Sequence, residues 1–147
     1  DLARFGPVPE AVCAELEKGP RAAVRLWGSG SPRRELLHVD AMAAACIFAM
    51  QMARGDYERA CARPDGPPVP HLNVGCGRDG SIRELAEVVG TIVGFTGETV
   101  WDASMPDGMP VKRLDVSRLT RAGWQPEIGL REGIAATYLW YLKETDG

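Results

Sequence analysis

The run WGSGSPRRELLHVD, residues 27–40, gathers two glycines, two adjacent arginines, a histidine and an aspartate into one short stretch. A diphosphate needs positive charge and hydrogen-bond donors held in place. Arginine at the rim of a turn supplies both, and Gly28 and Gly30 let the backbone approach a ligand closely. The competing reading is a hairpin whose guanidinium groups point into water. Taken alone, the Arg33–Arg34 pair fits that reading better. His38, on an apolar run, reads as a satisfied core histidine, and Asp40 reads as the cap of the helix that follows.

The rest of the chain removes several chemistries. It has 147 residues, of which 45% are hydrophobic, and a formal net charge of −3. That is one domain with enough apolar material for a core and no basic field for nucleic acid. No apolar run reaches the length of a membrane span, and the N-terminus lacks the pattern of a signal peptide. The opening DLARFGPVPE reads like the middle of a longer polypeptide. Cys13, Cys46, Cys61 and Cys76 form no C-x-x-C pair, and His38 and His71 have no neighbours at metal-ligand spacing, so no zinc site is expected. Cys13 and Cys46 read as buried thiols, which fits a reducing, cytoplasmic compartment. Cys76 has nothing nearby to activate it. The Gly28–Gly30 cluster runs into Pro32 and an apolar strand, which is the wrong context for a dinucleotide fingerprint. Phosphate-loop and nucleophile-elbow motifs are absent, and Tyr138 and Lys143 lack Tyr-x-x-x-Lys spacing. No catalytic residue is assigned.

The elements that must position residues 27–40 can be read from periodicity and punctuation. Pro9 and Gly19 bracket a helix. Strands are predicted over 23–28, 34–39, 71–75 and 98–102. Asp40 opens a helix with Ala43, Ile47 and Met50 on one face. Residues 54–70, rich in charge, glycine and proline, read as an exposed loop. Ser81 and Glu84 form a capping box ahead of Ile82, Leu85, Ala86, Val89, Ile92 and Val93, the clearest amphipathic helix in the chain. Residues 103–113 form a polar loop. A short helix starts from Asp115 and stops at Gly123. The final helix covers 130–144, with Leu130, Ile134, Tyr138 and Tyr141 on one face and Lys143 near the negative end of its dipole. The expected architecture is an α+β lobe, a small sheet packed on helices, as a single domain over 1–147.

Three blocks carry a resemblance that covers nearly the whole chain: WGSGSPRRELLHVDAMAAACIFAM, HLNVGCGRDGSIRELAEVVGTIVGF and DASMPDGMPVKRLDVSRLTRAGW. In this order they resemble the GDP-L-fucose synthases, extended short-chain dehydrogenases/reductases of the NAD-dependent epimerase/dehydratase type. The resemblance implies the C-terminal, substrate-binding lobe of an enzyme that converts GDP-4-keto-6-deoxy-mannose to GDP-L-fucose by 3,5-epimerisation and NADPH-dependent 4-reduction. It places NADP on an N-terminal Rossmann domain that this chain lacks, so the chain alone would bind no cofactor and would be inactive. It also implies a homodimer of the full-length form and, for the isolated lobe, an exposed apolar surface that drives association. By the same match Arg34 meets the GDP diphosphate, Trp27 belongs to the wall of the substrate site, and Asp107 and Lys112 line the nucleotide pocket. Arg33 stays in solvent.

The chain also departs from that family. Aligned without gaps, a proton-transferring histidine falls on Gly6 and a substrate-binding basic residue on Ala14. Met105 and Val111 stand where relatives usually carry Lys and Arg, and Ala41 replaces a second aspartate. Each cation lost beside a diphosphate would cost about 1.5–3 kcal/mol. Two alternatives to an enzyme part therefore stand: a nucleotide-sugar-binding module without chemistry, or a decayed domain kept for protein contact.

Overall fold

A computed structural model describes residues 23–145. The helix expected over 9–19 lies outside the described residues. The described elements are β1 (Ala23–Trp27), β2 (Arg33–Arg34), α1 (Val39–Gln51), α2 (Arg54–Cys61), β3 (Gly80–Ser81), α3 (Ile82–Val93), β4 (Glu98–Asp102), β5 (Val111–Lys112), α4 (Ser117–Arg121) and α5 (Leu130–Thr145). β1 and β4 pair in parallel, with Ala23 opposite Glu98 and Trp27 opposite Asp102. The three two-residue strands form a second sheet in the order β3-β2-β5. The mixture of helices with small sheets is the one expected. The described residues divide into two compact units. Of the described residues, the first is built from 23–33, 81–111 and 134–145, and the second from Arg34–Gly80 and Lys112–Gly133.

In the first unit α3 follows its sequence closely. The Ser81 side chain accepts from the Glu84 N–H, and the Glu84 carboxylate accepts from the Ser81 N–H at 2.7 Å. The helix ends on Gly94 at φ 72°, a left-handed cap that glycine adopts without strain. The β1 and β4 runs fall where they are predicted, because alternating β-branched and aromatic residues there meet a partner strand of equal length.

The second unit has a core of Ala45, Leu119 and Trp124, with Leu37, Phe48, Leu72 and Val74 packed around it. Leu119, at 1% exposure, is its centre. Here several expectations need correction. The strand predicted over 34–39 pairs only at Arg33–Arg34. Its last ladder bond runs from the Glu35 N–H to the Lys112 carbonyl, and residues 36–38 belong to no strand. The segment 71–75 is likewise not a strand. Asn73 Nδ2 donates to the Asp115 carbonyl and the Gly77 N–H donates to Glu35, so side chains and not a ladder hold this run in place. The cap of α1 is His38, not Asp40: its Nδ1 accepts from the Asp40 N–H at 3.2 Å, while its ring packs against Gly133. Asp40 sits in the first helical turn, where its charge complements the dipole.

The buried face of α1 carries Ala41 and Ala45, with Phe48 half-buried. The face proposed from sequence is the outer one, with Ile47 half exposed and Met50 77% exposed beside Val39 at 72%. Apolar residues surround this helix, so periodicity alone does not tell inside from outside. Cys46 is correspondingly exposed, and Cys61 is the buried thiol. Residues 54–70 are not all loop, because 54–61 form α2. Ion pairs Arg54–Glu58 and Asp56–Arg59 lie along it, and Cys61 anchors its end. The prolines begin only after it.

Glu35 joins three separate segments of the second unit. Its two carboxylate oxygens accept from the Gly77 N–H at 2.6 Å and the Leu114 N–H at 2.8 Å. A methyl group added at Gly75 would collide with the same carboxylate. Glu35→Ala should cost about 2–3 kcal/mol in urea unfolding, since two N–H groups lose a charged acceptor. Gly75→Ala should cost a similar amount alone and much less in the Glu35→Ala background. Additive costs would show that the carboxylate does not fill that space.

Candidate functional site

The glycine turn after β1 is fixed by a loop far along the chain. Gly28 and Gly30 are both buried, each at φ 76°, a conformation that side-chain-bearing residues rarely adopt. The Gly28 N–H continues the β1–β4 ladder to the Asp102 carbonyl. Asp107 then takes hold of Ser29. Its Oδ1 accepts from the Ser29 N–H at 2.6 Å and its Oδ2 from the Ser29 hydroxyl at 2.8 Å. A side chain at Gly28 would strike this carboxylate, and one at Gly30 would come within 2.7 Å of the Trp101 ring. Both positions are therefore glycine for space as well as for φ.

Arg83 closes the same turn from the first turn of α3. Its guanidinium donates to the Ser29 carbonyl at 2.5 Å and lies over the Trp101 ring, 4.5 Å from the centroid. The backbone follows: the Ile82 N–H donates to the Pro32 carbonyl and the Arg83 N–H to the Gly30 carbonyl. A cation in the first turn of a helix opposes the dipole. An arginine after a capping serine is thus a sequence signal that something holds it, and the sequence reading missed it along with Trp101. Glu35 was missed too. A lone carboxylate in an apolar run, as in RELLHV, signals an acceptor for backbone N–H groups.

Of the residues assigned from sequence, Trp27 and Asp107 belong to the first unit and Arg34 and Lys112 to the second. Trp27 ends β1 with 65% of its surface exposed. Asp107 reaches the glycine turn and spends both oxygens on Ser29. Arg34, half-buried on β2, and Lys112, exposed on β5, stand on neighbouring strands. The carboxylate beside them in sequence, Glu35, is committed to backbone N–H groups. Met105 is half-buried and Val111 exposed. Cys76 is half-buried, and its thiol donates to the Arg78 carbonyl. Among the described residues no group of His, Cys, Asp or Glu could hold a metal ion. None of the described helices is long and apolar enough to cross a membrane.

Three aspartates are held below the usual carboxylate range, each chiefly by a serine: Asp102 by the Ser104 hydroxyl, Asp107 by the Ser29 N–H, and Asp115 by the Ser117 N–H. A carboxylate whose pKa is depressed on folding contributes stability that is present above its unfolded value, near 3.9, and is lost as pH falls through the folded value. Unfolding midpoints should therefore fall below about pH 4. Asp107→Asn should lower stability at pH 7 and flatten part of that acid decline, as read by thermal unfolding across pH 7 to 3. An unchanged acid profile would mean that Asp107 does not hold the turn as an anion.

Known proteins resemble this chain in two ways. The model of the NAD dependent epimerase/dehydratase family matches residues 7–61. The GDP-L-fucose synthase of Escherichia coli (strain K12) is 49% identical over 123 residues, covering 84% of this chain and 37% of that protein. A putative GDP-L-fucose synthase 2 of Arabidopsis thaliana is 48% identical, over 82% of this chain and 33% of its own length. Among solved structures, a GDP-6-OMe-4-keto-L-xylo-heptose reductase from C. jejuni superposes with a TM-score of 0.74 at 36% identity, over 83% of this chain and 34% of that one. A GDP-mannoheptose C4 reductase from Campylobacter jejuni, solved with NADP bound, gives 0.67 at 36% identity, over 82% of this chain and 35% of that one. The chain spans about a third of the length of the curated relatives it matches.

Proposed function

The chain is homologous to the GDP-L-fucose synthases of the NAD dependent epimerase/dehydratase family, and on that premise we propose that it is the part of such an enzyme that grips the GDP-sugar. The parent activity is the conversion of GDP-4-keto-6-deoxy-mannose to GDP-L-fucose, and the chain corresponds to the C-terminal, substrate-binding lobe. The observation that carries the reading is the placing of two cations, Arg34 and Lys112, on adjacent short strands. Glu35, next to Arg34 in sequence, accepts from the Gly77 and Leu114 N–H groups. Arg34 meets the diphosphate through its planar fork of donors, and Lys112 adds charge. Trp27 keeps its ring exposed within the first unit. Asp107 acts by holding the Ser29 turn, since both of its oxygens are taken.

The described residues do not fit a nicotinamide dinucleotide. The glycine turn runs through Pro32 into a two-residue strand and opens no helix. The N-terminus of α3 is filled by the chain's own Glu84 carboxylate. No hydride step is assigned to this chain. In the parent enzyme the reduction draws on NADP held elsewhere, and the work of these residues is binding and orientation.

One observation favours the second reading, a domain kept for protein contact: the outer face of α1 is apolar and open. Calorimetry with GDP separates the two. The chain should bind GDP weakly, and Arg34→Ala should abolish the heat, as expected for loss of about 1.5–3 kcal/mol from a charged contact. No heat with either protein would remove the GDP-sugar reading and leave the contact domain.

A further inference from the structure

A cavity lies wholly within the second unit, away from the glycine turn in sequence. It encloses about 530 Å³ between the end of α1, α2 and α4. That volume is in the range of small-molecule sites. Its apolar side is formed by Phe48, Met52 and Ala60, all half-buried, and its polar side by Arg59, Arg118 and Arg121. Gln51 and Asp56 also face it. The sequence of α4, SRLTR, explains the arrangement: Leu119 turns into the core, and the arginines on either side of it are left along the cavity.

The charges do not cancel within the cavity. Arg59 is paired with Asp56 along α2. Arg118 and Arg121 feel Asp115, but that carboxylate accepts from the Ser117 N–H and is not part of the lining. Two guanidinium groups, one of them half-buried, thus border an apolar pocket whose lining acid is already paired. An ordinary explanation for arginines in the last turn of a helix is the helix dipole. It accounts for their position in α4, but not for their convergence with Arg59 and an apolar wall on one cavity.

We propose that this cavity is a binding site for an organic phosphate, with the phosphate oxygens on Arg118 and Arg121 and the apolar body of the ligand against Phe48, Met52 and Ala60. A phosphate monoester carries about −1.5 to −2 charge at pH 7, which matches the two guanidinium groups. The site is separate from the GDP-sugar grip and does not depend on it.

Phenyl phosphate joins both features in one probe, and inorganic phosphate carries the anion alone. In calorimetry with the whole chain, phenyl phosphate should bind saturably and more tightly than inorganic phosphate. Arg118→Gln and Arg121→Gln should each weaken it about tenfold or more, and Arg34→Ala should leave it unchanged. Arg121 is exposed, so its variant keeps the test available should Arg118→Gln fail to fold, which thermal unfolding would reveal. Binding that survives both glutamine variants, binding that is lost in Arg34→Ala instead, or no saturable binding would each overturn the proposal.

Discussion

The carboxylate of Glu35 accepts two backbone N–H groups, from Gly77 and from Leu114, which lie 42 and 79 residues further along the chain. Three runs without regular ladders therefore meet at one side chain. A buried or half-buried N–H must find an acceptor, and a carboxylate can serve two at once. The first unit uses the same device. Asp107 accepts from the N–H and the hydroxyl of Ser29, 78 residues away. In both places an acid does what a longer sheet would otherwise do.

That economy explains which parts of the fold were legible in the sequence. Elements stabilised locally were read well. The capping box of Ser81 and Glu84, the left-handed stop at Gly94 and the last helix all carry their own instructions. Segments held by distant side chains were misread. RELLHV and HLNVG have the apolar alternation of strands, yet their partners are Glu35 and Asn73 side-chain bonds, which no local pattern announces. Residues 54–61 look like a loop by composition, but two ion pairs and one buried cysteine make them a helix. In α1 the helical period was legible and the buried face was not, because Ala41 and Ala45 bury their small side chains while larger ones face outward.

The candidate site divides in the same way. Its residue types were legible because arginine, glycine and aspartate in a short order limit the chemistry to few choices. The supports were not. Arg83 and Trp101 are separated from the turn in sequence, and only the fold brings a stacked guanidinium onto the Ser29 carbonyl. Asp107, expected to line the nucleotide pocket in addition to its place in a turn, clasps the glycine turn through Ser29, and those contacts hold its pKa below the usual carboxylate range. In the proposed reading the work is divided: Glu35 and Asp107 hold backbone N–H groups, and Arg34 and Lys112 meet the GDP-sugar.

The most direct test of that division is an amide ¹H–¹⁵N NMR titration of the chain with GDP. The account predicts that the amides of Arg34, Glu35 and Lys112 move together and saturate, while those of α2 stay in place. Saturable shifts confined to other elements, or none at Arg34 and Lys112, would contradict it.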